Sequence, residues 1–228
     1  MVFFNVASGV SMAFAFLIVQ LLNSIIPSLV ALHVAGEAQR VDTVVAYTLK
    51  YLTIAAFSFL LIVHAVGPWL VQAAMGERYL PVLINLRILA LGLVPIGLVR
   101  TGISLAVVHR GPGKALRITA GALTVFLSAS AVLVPRFAAV GASAAVALAF
   151  GCAGMIAYRQ FSLGPVLAAA HFWRTILFGV VTLGVLSLPL ASGLPMAILA
   201  SGLFISLLFA GKVVSIREIR LIGQGRAA

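Results

Sequence analysis

Two arginines interrupt an otherwise apolar run. In GERYLPVLINLRILALGLVPIGLVRTGISLAVVHRGPGKALRI, from Gly76 to Ile118, Arg87 and Arg100 stand among leucines, isoleucines and valines. A guanidinium carries five N–H donors in a planar fork that matches a carboxylate or a phosphate. At a bilayer centre it costs roughly 2.5–3.5 kcal/mol on insertion scales, so each arginine needs a partner or water. Arg87 is near enough to one end of the run for its stem to snorkel outward. Arg100 lies ~20 Å further along an ideal helix and well short of the next basic residue, Arg110. The two are about 140° apart around that helix. Pro95 between them is expected to kink it, because its ring crowds the carbonyl of Leu91 and it lacks an N–H. Snorkelling is the first reading for Arg87; for Arg100 a structural and a ligand contact are equally open.

A second constellation lies at the start of the chain. In NVASGVSMAFAFLIVQLLNSIIP, the residues Asn5, Ser8, Gln20 and Asn23 fall within an arc of roughly 120°. Amides and hydroxyls in membranes commonly bond to neighbouring helices. Four on one stripe exceed what packing requires, and we read them as facing a wet cavity. The candidate binding residues are therefore Arg100, Arg87, Asn5, Gln20 and Asn23.

Other chemistries lack their residues. The four acids, Glu37, Asp42, Glu77 and Glu218, are expected in loops or tails, leaving no intramembrane carboxylate pair for acid–base work or for Mg²⁺. His33, His64, His109 and His171 are scattered one per segment, without an HExxH motif. Cys152 is the single cysteine, which excludes an internal disulfide or a thiolate cluster, and it reads as a small apolar packing residue. HRGPGKA lacks the spacing of a phosphate-binding loop and follows an apolar run; no G-x-S-x-G elbow occurs. The inventory predicts a protein that is not an enzyme, with no cofactor and no metal, whose ligand is anionic.

The elements that must position these residues follow from composition. The 228 residues are 63% hydrophobic and 8% charged, with mean hydropathy +1.23, far above a soluble domain. A bilayer core about 30 Å thick asks for roughly 20 apolar residues per helix. Seven windows qualify: Val2–Leu22, Tyr51–Ala74, Val82–Val108, Ile118–Val134, Ala138–Tyr158, Thr175–Ala191 and Leu194–Val214. The runs are continuous rather than alternating, which excludes an outer-membrane barrel. The expected fold class is all-α, a polytopic membrane helix bundle of about seven transmembrane helices. Between the first two, SLVALHVAGEAQRVDTVVAYTLKY is expected to form a polar elbow at the interface. Tyr47, Tyr51, Trp69, Tyr79, Tyr158 and Trp173 sit where aromatic belts belong. Gly141–Gly154, GASAAVALAFGCAG, is rich in small residues that let backbones approach.

The formal charge of +11 would suggest nucleic acid in a soluble protein; here the side on which charges fall matters more, and no nucleic-acid partner is expected. With alternating connections, one side receives Arg40, Lys50, Arg110, Lys114, Arg117, Arg159, Arg174, Lys212, Arg217, Arg220 and Arg226, and the other Arg78, Arg87 and Arg136. The positive-inside rule makes the first side, and the C-terminus, cytoplasmic. An odd number of crossings then leaves the N-terminus outside without a basic flank or signal peptide, so a truncated or split chain is expected.

At this point the residues resemble a family. GERYLPVLINLRIL (Gly76–Leu89), the basic, glycine-rich link Arg110–Arg117 and VPRFAAVGA (Val134–Ala142) resemble the (G)E-x-Y-x-x-(A)-x-x-x-L-R-I-L, linker and I-P-R-(F/Y)-G-x-x-G-A segments of polysaccharide and O-antigen flippases. These belong to the multidrug/oligosaccharidyl-lipid/polysaccharide exporter superfamily. SIIPSLVAL (Ser24–Leu32) is similar to the family's L-F-P-x-L ending of a second helix. The similarity covers roughly residues 5–160. It implies one lobe of a two-lobed flippase plus two extra helices: a C-terminal-lobe-like bundle over 1–160 that lacks the lobe's first helix, a peripheral transmembrane hairpin over 161–214, and a basic cytoplasmic tail over 215–228. The implied function is part of a transporter that flips undecaprenyl-diphosphate-linked oligosaccharide across the bacterial inner membrane for polysaccharide biosynthesis. The partners would be that anionic lipid-linked oligosaccharide, membrane lipids, and a missing N-terminal half or partner chain. Arg100, and secondarily Arg87, would meet the diphosphate; Asn5, Gln20 and Asn23 would face sugar hydroxyls. Alternatives are a lipid II or teichoic-acid-type flippase of the same superfamily, a membrane glycan polymerase or ligase, or a non-transporting remnant. The short outer connections disfavour the polymerase.

Overall fold

A computed structural model describes residues 2–109, 111–169, 171–186, 194–211 and 213–214. Among the described residues every regular element is helical: α1 (Val2–Val34), α2 (Ala38–Ala65), α3 (Gly67–Met75), a 3₁₀ turn (Glu77–Tyr79), α4 (Val82–Val108), α5 (Pro112–Gln160), α6 (Gly164–Ala169), α7 (Phe172–Leu186) and α8 (Leu194–Ala210). Four of them, α1, α2, α4 and α5, are long and apolar enough to cross a membrane.

The long α5 is a hairpin. Ala138 has φ 47° and ψ −120°, outside any helical region. A Cβ on Gly141 would overlap the carbonyl of Leu133, and one on Gly121 would overlap the side chain of Ile156. Those pairs meet only if the chain doubles back, so residues 112–137 and 139–160 form two antiparallel arms. The break falls where the apolar windows ended and resumed, at the VPRFA stretch. Pro135 is accommodated just before the corner.

The first connection differs from expectation. The predicted elbow over Ser28–Tyr51 is nearly all helix: α1 runs on through Pro27 to Val34, and α2 already begins at Ala38. Proline removes only one ladder donor, and in α1 it stands on an exposed face where its ring meets no packed neighbour. The turn is compressed into Ala35, Gly36 and Glu37. Gly36 takes φ 76°; its N–H donates to His33 O at 3.1 Å, and the Glu37 N–H to Leu32 O at 3.0 Å. This is a Schellman ending, which asks for glycine at that position. Glu37 also pairs with Arg40 at 2.6 Å on the exposed surface.

The second predicted span, Tyr51–Ala74, is displaced toward the N-terminus. α2 ends at Ala65, and Gly67–Pro68 starts the separate α3, with proline in its first turn where no N–H is needed. α4 keeps its predicted bounds and runs unbroken through Pro95.

α4 is the axis of the bundle, with residues buried along its whole length. Ala7 of α1 clusters with Val82, Leu86 and Leu89, Ile18 and Leu22 with Leu93 and Ile96, and Leu29 with Leu105 and Val108. α1 and α4 are therefore parallel. α2 is antiparallel to both: Val63, Ala56 and Val45 join those three clusters in reverse order. The second arm of α5 packs on α4 through small residues. A Cβ on Gly92 would lie 3.1 Å from Ala147 Cα, one on Gly154 3.2 Å from Pro95 Cβ, and one on Gly102 2.7 Å from Ala157 Cβ. This is the close approach that the glycine- and alanine-rich stretch predicts.

α7 and α8 cover the remaining face of α2. Phe57 and Phe204 stand 6.4 Å apart between ring centroids, and Leu60, Leu61, Leu208, Val213 and Ala90 of α4 join that cluster. Arg174 Nη1 donates to Gly211 O at 3.3 Å, joining the start of α7 to the end of α8. Ala191, Ser192 and Gly193 of the expected ASGLP turn, with Arg110, Lys212, Arg217, Glu218, Arg220 and Arg226, lie outside the described residues, and its Leu194 and Pro195 open α8.

Candidate functional site

Arg100 continues a stripe on α4. Leu89, Leu93 and Ile96 are buried where this face meets α1 and α2; four residues on, at Arg100, the stripe becomes exposed. The residues around it are packed: Leu98, Val99 and Thr101 are buried. The guanidinium forms no ion pair with a described residue. Its backbone carbonyl accepts from Ser104 Oγ at 3.0 Å.

Arg87 is placed differently. It is half-buried, its Nε is enclosed without a hydrogen-bond partner, and it is near enough to His64 of α2 for the two to interact electrostatically. His64 Nδ1 lies 3.1 Å from Leu60 O. Thirteen positions apart on one unbroken helix, Arg87 and Arg100 stand at levels ~20 Å apart. They do not form one clamp.

Asn5, Gln20 and Asn23 are all exposed. They lie on the side of α1 opposite Ala7, Ile18, Leu22 and Leu29, which pack into the bundle. Met12 and Phe16 share their stripe and are also exposed, at 68% and 60%. The polar stripe therefore faces away from the described helices. Ser8 is half-buried at its edge.

Three relationships escaped the sequence reading. Lys50, assigned to the polar elbow, is instead buried within α2 at 3% exposure, its Nζ 5.6 Å from the ring centroids of both Tyr47 and Tyr51. Aromatic rings favour a cation over their faces, and the Tyr-x-x-Lys-Tyr spacing was the available signal. Since Leu52 faces Gly97 on an antiparallel helix, Lys50 and Arg100 lie at nearly the same depth. Asn85 and Ser143 are joined across α4 and α5, Ser143 Oγ donating to Asn85 Oδ1 at 3.0 Å. Finally, two of the histidines read as scattered are neighbours: His33 and His109, closing the parallel α1 and α4, have ring centroids 4.7 Å apart.

The two ends of the bundle differ in charge. Arg40, Lys114, Arg117, Arg159 and Arg174 lie at the end that holds the α1–α2 turn, whereas Arg78 and Arg136 lie at the α3 end. Asp42, expected in a loop, is exposed in the first turns of α2, and Glu77 is exposed in the 3₁₀ turn. No described group of three or more histidine, cysteine or acidic residues is arranged to hold a metal ion. No family model, no curated protein and no solved structure matches this chain.

Proposed function

We propose that this chain is part of a transporter that moves an undecaprenyl-diphosphate-linked oligosaccharide across the bacterial inner membrane. The observation that carries this reading is Arg100: a guanidinium in the middle of an apolar helix, exposed, and without an ion pair to a described residue. A cation so placed is tolerated where water or an anionic ligand reaches it, and a diphosphate offers several acceptor oxygens to the guanidinium fork. Lys50 at the same depth adds positive potential, and the outward amide stripe of α1 supplies donors and acceptors suited to sugar hydroxyls. Translocation breaks no bond, which accords with a polar inventory of arginines, amides and hydroxyls.

On this reading the two arms of α5 cross separately, and α7 and α8, about 22 and 26 Å long at 1.5 Å per residue, bring the crossings to seven. The end bearing Arg40, Lys114, Arg117, Arg159 and Arg174 is cytoplasmic by the positive-inside rule, and so is the C-terminus. The α1 stripe, facing away from the described helices, belongs against the other half of a two-lobed transporter, the two rocking about a central cavity.

The test is binding in lipid nanodiscs. Protein reconstituted with undecaprenyl diphosphate or with neutral undecaprenol should retain the diphosphate preferentially, and Arg100→Gln should abolish the preference while the protein still inserts. Equal retention of the two lipids by the wild type would remove the basis of the assignment.

A further inference from the structure

We infer that α3 is not a transmembrane segment but a helix lying in the plane of the bilayer, its partner the headgroup–acyl boundary of the lipid. Nine residues, Gly67–Met75, make a rod of ~13.5 Å, too short for a core about 30 Å thick. The preceding α2, with 28 residues, already reaches ~42 Å. α3 therefore begins where a crossing has been completed.

Its side chains lack protein to cover them. Trp69 is 64% exposed, Leu70 47% and Met75 42%, and only Gly67 is buried. The one polar residue of α3, Gln72, is used locally: its Nε2 donates to Glu77 Oε1 at 2.9 Å, beyond the helix end. In water this surface would be costly, since fully burying one large apolar side chain is worth about 1.5–3 kcal/mol. In the interface it is favourable, and tryptophan in particular partitions there.

The neighbouring residues fix the level. The 3₁₀ turn that follows places the Arg78 guanidinium 5.1 Å from the ring centroid of Tyr79, and Tyr79 meets Phe3 edge-on at 6.0 Å. At the same end the corner of the α5 hairpin exposes Arg136 beside Phe137, the latter 58% exposed. Trp69, Tyr79 and Phe137, with two arginines among them, form the aromatic and basic girdle expected where lipid meets water. α3 continues that girdle sideways. Its depth is independent of what the protein carries.

Trp69 and Trp173 are the two tryptophans, so Trp173→Phe leaves Trp69 as sole reporter in the full chain. In phosphatidylcholine vesicles, bromine near the glycerol end of the acyl chain should quench Trp69 more strongly than bromine near the chain terminus. Stronger quenching by the deep bromine would mean that α3 is inserted, and no quenching by either would mean that protein or water covers it; both overturn the proposal. Should Trp173→Phe fail to fold, a spin label attached to the thiol introduced by Leu70→Cys, in a chain that also carries Cys152→Ser, gives the same depth. Collision with oxygen and with a water-soluble nickel chelate should then be balanced; dominance of either one overturns the proposal.

Discussion

Ser143 and Asn85 are hydrogen-bonded inside the bundle, with 0% and 3% of their surfaces exposed. The pair ties the second arm of α5 to α4 near the α3 end, where an alternative in water is absent. Ser143 Oγ also lies 3.2 Å from Ala139 O, so loss of Asn85 does not strand the hydroxyl. We expect Ser143→Ala and Asn85→Leu, singly and together, to give a coupling of about 0.6 kcal/mol, the usual size for an interhelical bond in membranes. Unfolding in mixed micelles measures it; strictly additive effects would show that the contact does not hold the helices.

Arg100 and Arg87 separate function from burden. Arg100→Gln should remove diphosphate binding and glycan display with insertion unchanged. Arg87 has an enclosed Nε without a partner, and such a group costs stability. Arg87→Met should therefore leave thermal stability equal or raised, and lower transport less than Arg100→Gln does. A larger transport defect at position 87 would reverse the two roles.

The corner of α5 contains an alanine in a backbone region that suits glycine. At φ 47° its Cβ is strained, and Ala138→Gly should stabilise the protein by about 1 kcal/mol. Three residues on, Gly141 cannot be enlarged without meeting the Leu133 carbonyl. Gly141→Ala should cost about 1–3 kcal/mol. Opposite signs for two small exchanges at one turn are read by thermal unfolding; the same sign for both would contradict the hairpin.

Gly179 marks where α7 docks on α2. A Cβ there would overlap the Phe57 ring, so Gly179→Leu should detach α7 and α8, exposing 161–214 to limited proteolysis. Phe57→Ala in the same chain should restore part of the protection by opening space. Protection unchanged in Gly179→Leu would show that this contact does not seat the hairpin.

The sequence alone was most legible where composition and covalent geometry act locally. Hydropathy placed α4 at Val82–Val108 to the residue, and the polar VPRFA stretch marked the corner of α5, because proline and arginine are poorly placed in the middle of a crossing. Small residues from Gly141 to Gly154 announced close packing. Hydropathy misplaced the ends of α1 and α2, because a helix leaving a membrane keeps its hydrogen-bond ladder after its side chains turn polar. The threshold between apolar and polar therefore does not coincide with the end of the helix. Pro27 stands inside α1 without ending it, since a lost donor is tolerated on an exposed face.

By itself, then, the sequence determined an all-helical chain, largely apolar, with arginines on one helix and amides on another, since side-chain hydrophobicity and backbone hydrogen bonding are properties of short segments. Only the tertiary structure decided that Lys50 is buried, that Asn85 meets Ser143, that His33 meets His109, and that Arg100 is exposed where Leu89, Leu93 and Ile96 of its stripe are buried. Those outcomes depend on how helices far apart in the chain rotate and cross, which packing of small residues against α4 sets and no local pattern encodes.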